Sequence, residues 1–190
     1  AASAGLASVV SAPFDVGAGS PAKLAFLRGP SNAYAGVQFT PPVVVAVLDA
    51  LDNPVPTGQV SVTIAIGNNP GKGLLIGTPQ RTSASGEVSF ADLAIEKSGA
   101  GYTLVASAPG LASATSPLFD ISPGRAVRID FVAQPMNAVA GRPMTPAVWV
   151  GALDLFDNID PSFTSPVALT LLGGPSGATV FGNAPLAAFE

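Results

Sequence analysis

Residues 1–85 of this 190-residue chain align with residues 106–190 without a gap, at an offset of 105. About 30% of the 85 pairs are identical. The clearest stretch places FDVGAGSPAKLAFLRGPSNAYAGVQFTPPVVVAVLDALDN, from Phe14, over FDISPGRAVRIDFVAQPMNAVAGRPMTPAVWVGALDLFDN, from Phe119. A period of 105 is too long for a solenoid, whose repeats run to about 50 residues. It matches one β-sandwich domain of about 100 residues per repeat. The phase divides the chain. Residues 1–16 match the end of a repeat, with its last strand; residues 17–121 make a complete one; residues 122–190 match the first two-thirds of the next. The expectation is a window on a longer tandem array. The boundaries fall at Gly17–Ala18–Gly19–Ser20–Pro21 and at Ser122–Pro123–Gly124. Such Gly/Pro/Ser linkers permit a bend but are too short to be free tethers.

Within a repeat the hydrophobic period is two. Val60, Val62, Ile64 and Ile66 alternate with Ser61, Thr63 and Ala65, the pattern of a strand with one buried face. Val167, Leu169 and Leu171 alternate with Ala168 and Thr170 and predict the same strand in the next repeat. Leu24 and Phe26, with their copies Ile129 and Phe131, predict another pair. Val43–Leu48 is apolar throughout, as in a central strand covered on both faces. Further strands are predicted at Gly73–Gly77, Glu87–Phe90, Leu93–Glu96, Tyr102–Ser107 and Leu111–Ile121, the last interrupted at Pro117. Turn residues separate them at Asp52–Asn53–Pro54, Asn68–Asn69–Pro70–Gly71, Ser85–Gly86 and Pro109–Gly110. No segment holds a 3.6-residue period over three turns. These features predict an all-β sandwich with Greek-key topology. Tyr102, after Gly99–Ala100–Gly101, stands where a tyrosine corner bonds its hydroxyl to nearby backbone.

The segments AKLAF, PSNAYAGVQFTPPVVVAVLDALDN, the GEVSFADLAI hairpin, KSGAGYTLVASAPGLASATSPLFDI and SPGRAVRIDF resemble bacterial immunoglobulin-like tandem repeats of large surface or secreted, adhesin-like proteins. The resemblance covers essentially the whole chain. It implies an immunoglobulin-like fold and a role as stalk, spacer or adhesive module, extracellular or at the cell surface. The sequence departs from that pattern at LDALDN, where the family often has Phe–Gly before Asn, and at Trp149, which aligns with Val44.

Composition narrows the chemistry. There is no His and no Cys, so no imidazole base, thiolate nucleophile or disulfide is available. The net charge is −4 without a basic run, which leaves a nucleic-acid backbone nothing to bind. No apolar run of 18 residues free of Pro, Gly and charge occurs, so no membrane span is expected in this segment.

Asp49, Asp52 and Asn53 recur as Asp154, Asp157 and Asn158. Grouped oxygens on a loop could bind calcium, joined by Asp15 or Asp120 if a strand end comes near. Three side chains fall short of the six to eight oxygens calcium takes, and Asp and Asn cap turns on their own backbone. Either reading is open here. Carboxylate pairs such as Asp49/Asp52 or Asp154/Asp157/Asp160 could serve acid–base chemistry only across a cleft. Their recurrence in every repeat points to a structural role instead. GNNPGKG at Gly67–Gly73 lacks the Ser or Thr and the helix of a phosphate loop, and reads as a strand connection. Trp149, the sole Trp, is expected in a core or interface, and Tyr34 and Trp149 are the obvious contacts for a glycan. No catalytic, cofactor-binding or metal residue is assigned. The expectation is a non-enzymatic spacer partnered by neighbouring repeats of its own chain. Two alternatives are a self-assembling extracellular filament or matrix fibre, in which identical chains meet, and a glycan- or host-protein-binding module. The filament reading draws on charged residues making up only 11% of the chain.

Overall fold

The computed structural model describes residues 4, 5, 7–56 and 58–180. These residues form fourteen strands and no helix. The first repeat supplies β1 (Lys23–Arg28), β2 (Ala33–Tyr34), β3 (Val43–Leu48), β4 (Ser61–Ile66), β5 (Leu75–Ile76), β6 (Gln80–Thr82) and β7 (Glu87–Phe90). It continues with β8 (Ala94–Ile95), β9 (Gly99–Tyr102), β10 (Leu104–Ser107), β11 (Ala114–Thr115) and β12 (Phe119–Ser122). The second repeat supplies β13 (Arg128–Ala133) and β14 (Trp149–Leu153).

The alternating residues set the layers. β3 runs antiparallel between β1 and β7 in one sheet. A second sheet has the order β11-β10-β4-β6, and β12 lies between β2 and β9 beside it, parallel to the first and antiparallel to the second. The inward residues of both layers meet in one core: Leu24, Val43, Val45 and Val47 from one side, Val62, Ile64, Leu104, Ala106 and Phe119 from the other. Burying such side chains contributes roughly 1.5–3 kcal/mol each. β3 is covered on both faces, since Ala46 and Leu48 are buried as well. The molecule is an all-β immunoglobulin-like sandwich.

Tyr102 is fully buried and stacks on Phe119, which meets Phe39 edge to face at 5.4 Å. Its hydroxyl donates to the carbonyl of Lys97, five residues upstream, at 2.9 Å. That is the tyrosine-corner geometry.

Two strand expectations are corrected. GEVSFADLAI is not a hairpin: β7 pairs with β3, while β8 pairs with β5. The chain passes at Ala91–Asp92 from the sheet of β3 to that of β5 rather than folding back along β7, and Phe90, Leu93 and Ile95 on either side are all buried. Asp92 fixes this crossing by accepting bonds from Thr78 and Arg81. Second, Val167–Leu171 forms no strand. Its counterpart β4 is held between β10 and β6. Among the described residues no strand pairs with Val167–Leu171. A lone strand without a ladder has unpaired backbone and gains nothing by extending.

The second repeat reproduces the opening of the first. β13 pairs with β14 in the register of β1 with β3, each position shifted by 105, and the bulge after Phe26 reappears after Phe131. Residues 7–16, counterparts of the segment that includes β11 and the start of β12, form no strand and are exposed. No helix among the described residues is long and apolar enough to cross a membrane.

Candidate functional site: the turn at the junction of two repeats

After β3 the chain must reverse, and Asp49 organises the reversal. Its Oδ1 accepts the backbone N–H of Leu51 at 2.8 Å and of Asn53 at 2.9 Å. Its Oδ2 accepts the N–H of Gly19 at 2.8 Å and the side-chain amide of Asn53 at 3.0 Å. One buried carboxylate thus ties the turn to the linker that enters the repeat. Asp52 takes φ +67°, a region Asp tolerates better than most residues, and pairs with Lys23 on β1 at 2.9 Å. A Cβ at Gly19 would lie 3.3 Å from the Asp49 carboxylate, so a side chain there would press the carboxylate back by a few tenths of an ångström.

The second repeat rebuilds the same device. Asp154 accepts from Phe156 N, Asn158 N, Gly124 N and the Asn158 amide, all at 2.8–2.9 Å. Asp157 has φ +63° and pairs with Arg128 on β13. Asp160, where the first repeat has Val55, adds a second clamp: it accepts from Ala126 N, Ser162 N and the Ser162 hydroxyl.

These bonds govern the charges. The Asn53 amide, then the N–H groups of Gly19 and Asn53, hold Asp49 well below the usual carboxylate range. At Asp154 burial opposes ionisation, but the Asn158 side chain, the Asn158 N–H, and the N–H groups of Gly124 and Phe156 outweigh it, and its pKa is lowered. The Ser162 hydroxyl and Ala126 N–H lower Asp160. Hydrogen bonding to Asp157 raises Arg128. The carboxylates of Asp49 and Asp154 therefore face N–H donors, the polarity of a turn cap. Asp120 stands apart, accepting from Gly101 N and donating its own N–H to Asn32. Among the described residues no three acidic side chains cluster as they would around a metal.

The second turn does one thing the first does not: it reaches into the preceding repeat. Asn158 Oδ1 accepts the N–H of Ser98 at 2.9 Å, and its Nδ2 donates to the carbonyl of Glu96 at 2.9 Å. With Asp154 this satisfies the whole amide, which is only 6% exposed. Lys97 Nζ donates to the carbonyl of Phe156. The Phe156 ring packs on the first repeat's core over Gly36, where a Cβ would sit 2.1 Å from it. The loop Glu96–Ser98 is thus gripped from inside by Tyr102 and from outside by Asn158.

In the first repeat the corresponding tip is bare. Leu51, the counterpart of Phe156, is 82% exposed. Asn53 Oδ1 receives no hydrogen bond from the described residues.

The turn residues expected to act together, Asp49 with Asn53 and Asp154 with Asn158, do meet. Asp52 and Asp157 instead point to a basic residue on the adjoining strand. The sequence reading missed Gly19, Gly36, Glu96, Lys97, Ser98, Gly124 and Phe156. The signal was partly present: Gly19/Gly124 and Gly36/Gly141 recur, and Lys23/Arg128 keep their charge. Trp149, expected in a core or interface, is exposed at the head of β14 beside Ala133, and Tyr34 is also exposed. GNNPGKG is a strand connection, closed by Asn69, which bonds both N–H and C=O of Gly73.

No curated protein matches the chain. The family described as SMCHD1 Ig-like domain 6 matches residues 19–113, half of the chain. The match begins at the linker glycine bound by Asp49 and includes the Glu96–Ser98 loop, the buried Tyr102 and the strands through β10. The chain belongs to this family of Ig-like domains.

Proposed function

We propose that this chain is a non-catalytic structural spacer, two consecutive Ig-like units of a long extracellular stalk of the kind found in adhesin-like bacterial surface proteins. The observation that carries the reading is the junction. A short linker alone would leave two units free to bend. Here Asn158 bonds the Glu96–Ser98 backbone at two points, and Phe156 covers Gly36. Each such hydrogen bond contributes about 1 kcal/mol, and the partly buried Phe156 ring adds a comparable apolar gain. A stalk needs that resistance to bending; an enzyme would need a reactive group at the same place, and both carboxylate oxygens of Asp154, the acid at the centre of the junction turn, are engaged by N–H groups. The resemblance to bacterial repeats and the absence of cysteine are consistent with an extracellular setting.

The test is the angle between the units. Spin labels on cysteines introduced at the exposed positions Glu87 and Val139 report the distance between them. The Asn158→Ala chain should show a clearly broader distance distribution than the parent. Equal widths would remove the junction as a stiffening element, and with it the support for a spacer. Surface labelling of intact cells that make the protein tests its location.

A further inference from the structure

We infer that the Leu51–Asn53 tip of the first unit is a docking face, and that its partner is the tyrosine-corner end of another Ig-like unit of the same kind. This rests on the spacer reading and adds the partner and the contacts.

The argument is the equivalence of two turns, one covered and one bare. Both are built by an Asp that binds a linker glycine, both place an Asp at positive φ against a basic residue, and both end in an Asn whose amide returns to that Asp. The local fold is therefore set before any partner arrives. What differs is the outward surface. Phe156 and Asn158 lie against Gly36 and the Glu96–Ser98 backbone. Leu51 and Asn53 present to solvent an apolar side chain and an amide oxygen that receives no hydrogen bond from the described residues. An apolar tip next to an amide oxygen is the complement of a glycine-floored hollow beside a backbone N–H.

A single-thiol experiment tests this, because the chain has no cysteine of its own. Residues 17–121 are duplicated in tandem within the full chain, which sets a complete unit ahead of the original one. Leu51→Cys is placed in the downstream copy only, and its reaction with a maleimide is timed. In the undecorated chain Leu51→Cys should react at the rate of an exposed thiol. In the duplicated chain it should react about tenfold more slowly, as expected of a site exposed only by local opening. Asn53→Ala in the same copy should restore fast labelling. Phe156→Cys in the ordinary chain serves as the reference for a covered position. If Leu51→Cys stays fast in the duplicated chain while Phe156→Cys is slow, the docking inference is overturned and the spacer reading stands. If both are fast, the spacer reading falls too.

Discussion

The two Ig-like units differ most where their sequences are most alike. β1–β3 and β13–β14 share register, bulge and following turn, yet Leu24 is 4% exposed and its copy Ile129 is 50% exposed. Phe26 packs on the core, while Phe131 is 41% exposed. Strand pairing and turn capping are thus decided locally, by alternation and by one aspartate. Burial is decided by a facing sheet, which the second unit lacks among the described residues. Among the described residues burial is therefore concentrated in the first unit, although the second repeats the same alternation at its start.

The largest break in that comparison is Phe90→Ala. Phe90 is fully buried on β7, and losing such a ring costs about 3–5 kcal/mol, including the cavity left behind. Phe131→Ala, on a hairpin that no sheet faces among the described residues, should change stability by less than about 1 kcal/mol. Urea unfolding followed by far-ultraviolet circular dichroism measures both. Similar losses for the two substitutions would mean that the second unit buries its hairpin after all.

The same division separates what could be read in the sequence from what could not. The alternation through Val62 and Ile64, the solid run Val43–Leu48 and the placement of Tyr102 made the sandwich and its corner legible. Asp49 and Asn53 were legible as a group because they recur, and the turn cap was the stronger reading with calcium left open beside it; which N–H groups the carboxylate receives, the linker's Gly19 among them, was not legible. Periodicity says which face of a strand is apolar and nothing about which strand comes next in space. GEVSFADLAI therefore reads as a hairpin although its halves join different sheets. Val167–Leu171 has the right alternation and still forms no strand, because a ladder depends on neighbours and not on the segment. The contact of Asn158 with Glu96 and Ser98 spans two units, and no local pattern encodes it.

A smaller effect sharpens the junction itself. Gly36 and Gly141 are repeat equivalents with φ +74° and +76°. Alanine at either position pays the same backbone strain, roughly 1 kcal/mol. Only at Gly36 would the new methyl group meet Phe156; Gly141 has no atom within 4 Å. Gly36→Ala should therefore displace the Phe156 ring and speed hydrogen exchange at the Ser98 amide, whereas Gly141→Ala should leave that amide unchanged. Equal exchange in the two variants would show that the ring does not depend on the glycine.

The smallest effect is the response to pH, and its two edges divide differently between the units. Asp49 and Asp92 in the first unit, and Asp154 and Asp160 in the second, all lie below the ordinary aspartate value of 3.8 when folded. A lowered carboxylate means the unfolded chain binds more protons in acid, so the stability these groups contribute is present above pH 3.8 and is lost as pH falls through the folded values. Both units share that acid edge. Burial raises Tyr102 above its ordinary 10.0. Its contribution is complete below pH 10 and is lost as pH rises through the folded value. Tyr102 lies in the first unit, so the alkaline edge reports on that unit. No histidine or cysteine titrates between the edges. Thermal melts from pH 2 to 11 should give a plateau from about 4 to 10 with a fall on each side. Tyr102→Phe should weaken the alkaline fall and leave the acid one in place. An unchanged alkaline fall in that variant would separate the corner hydroxyl from the pH response and leave only its packing to account for its place in the core.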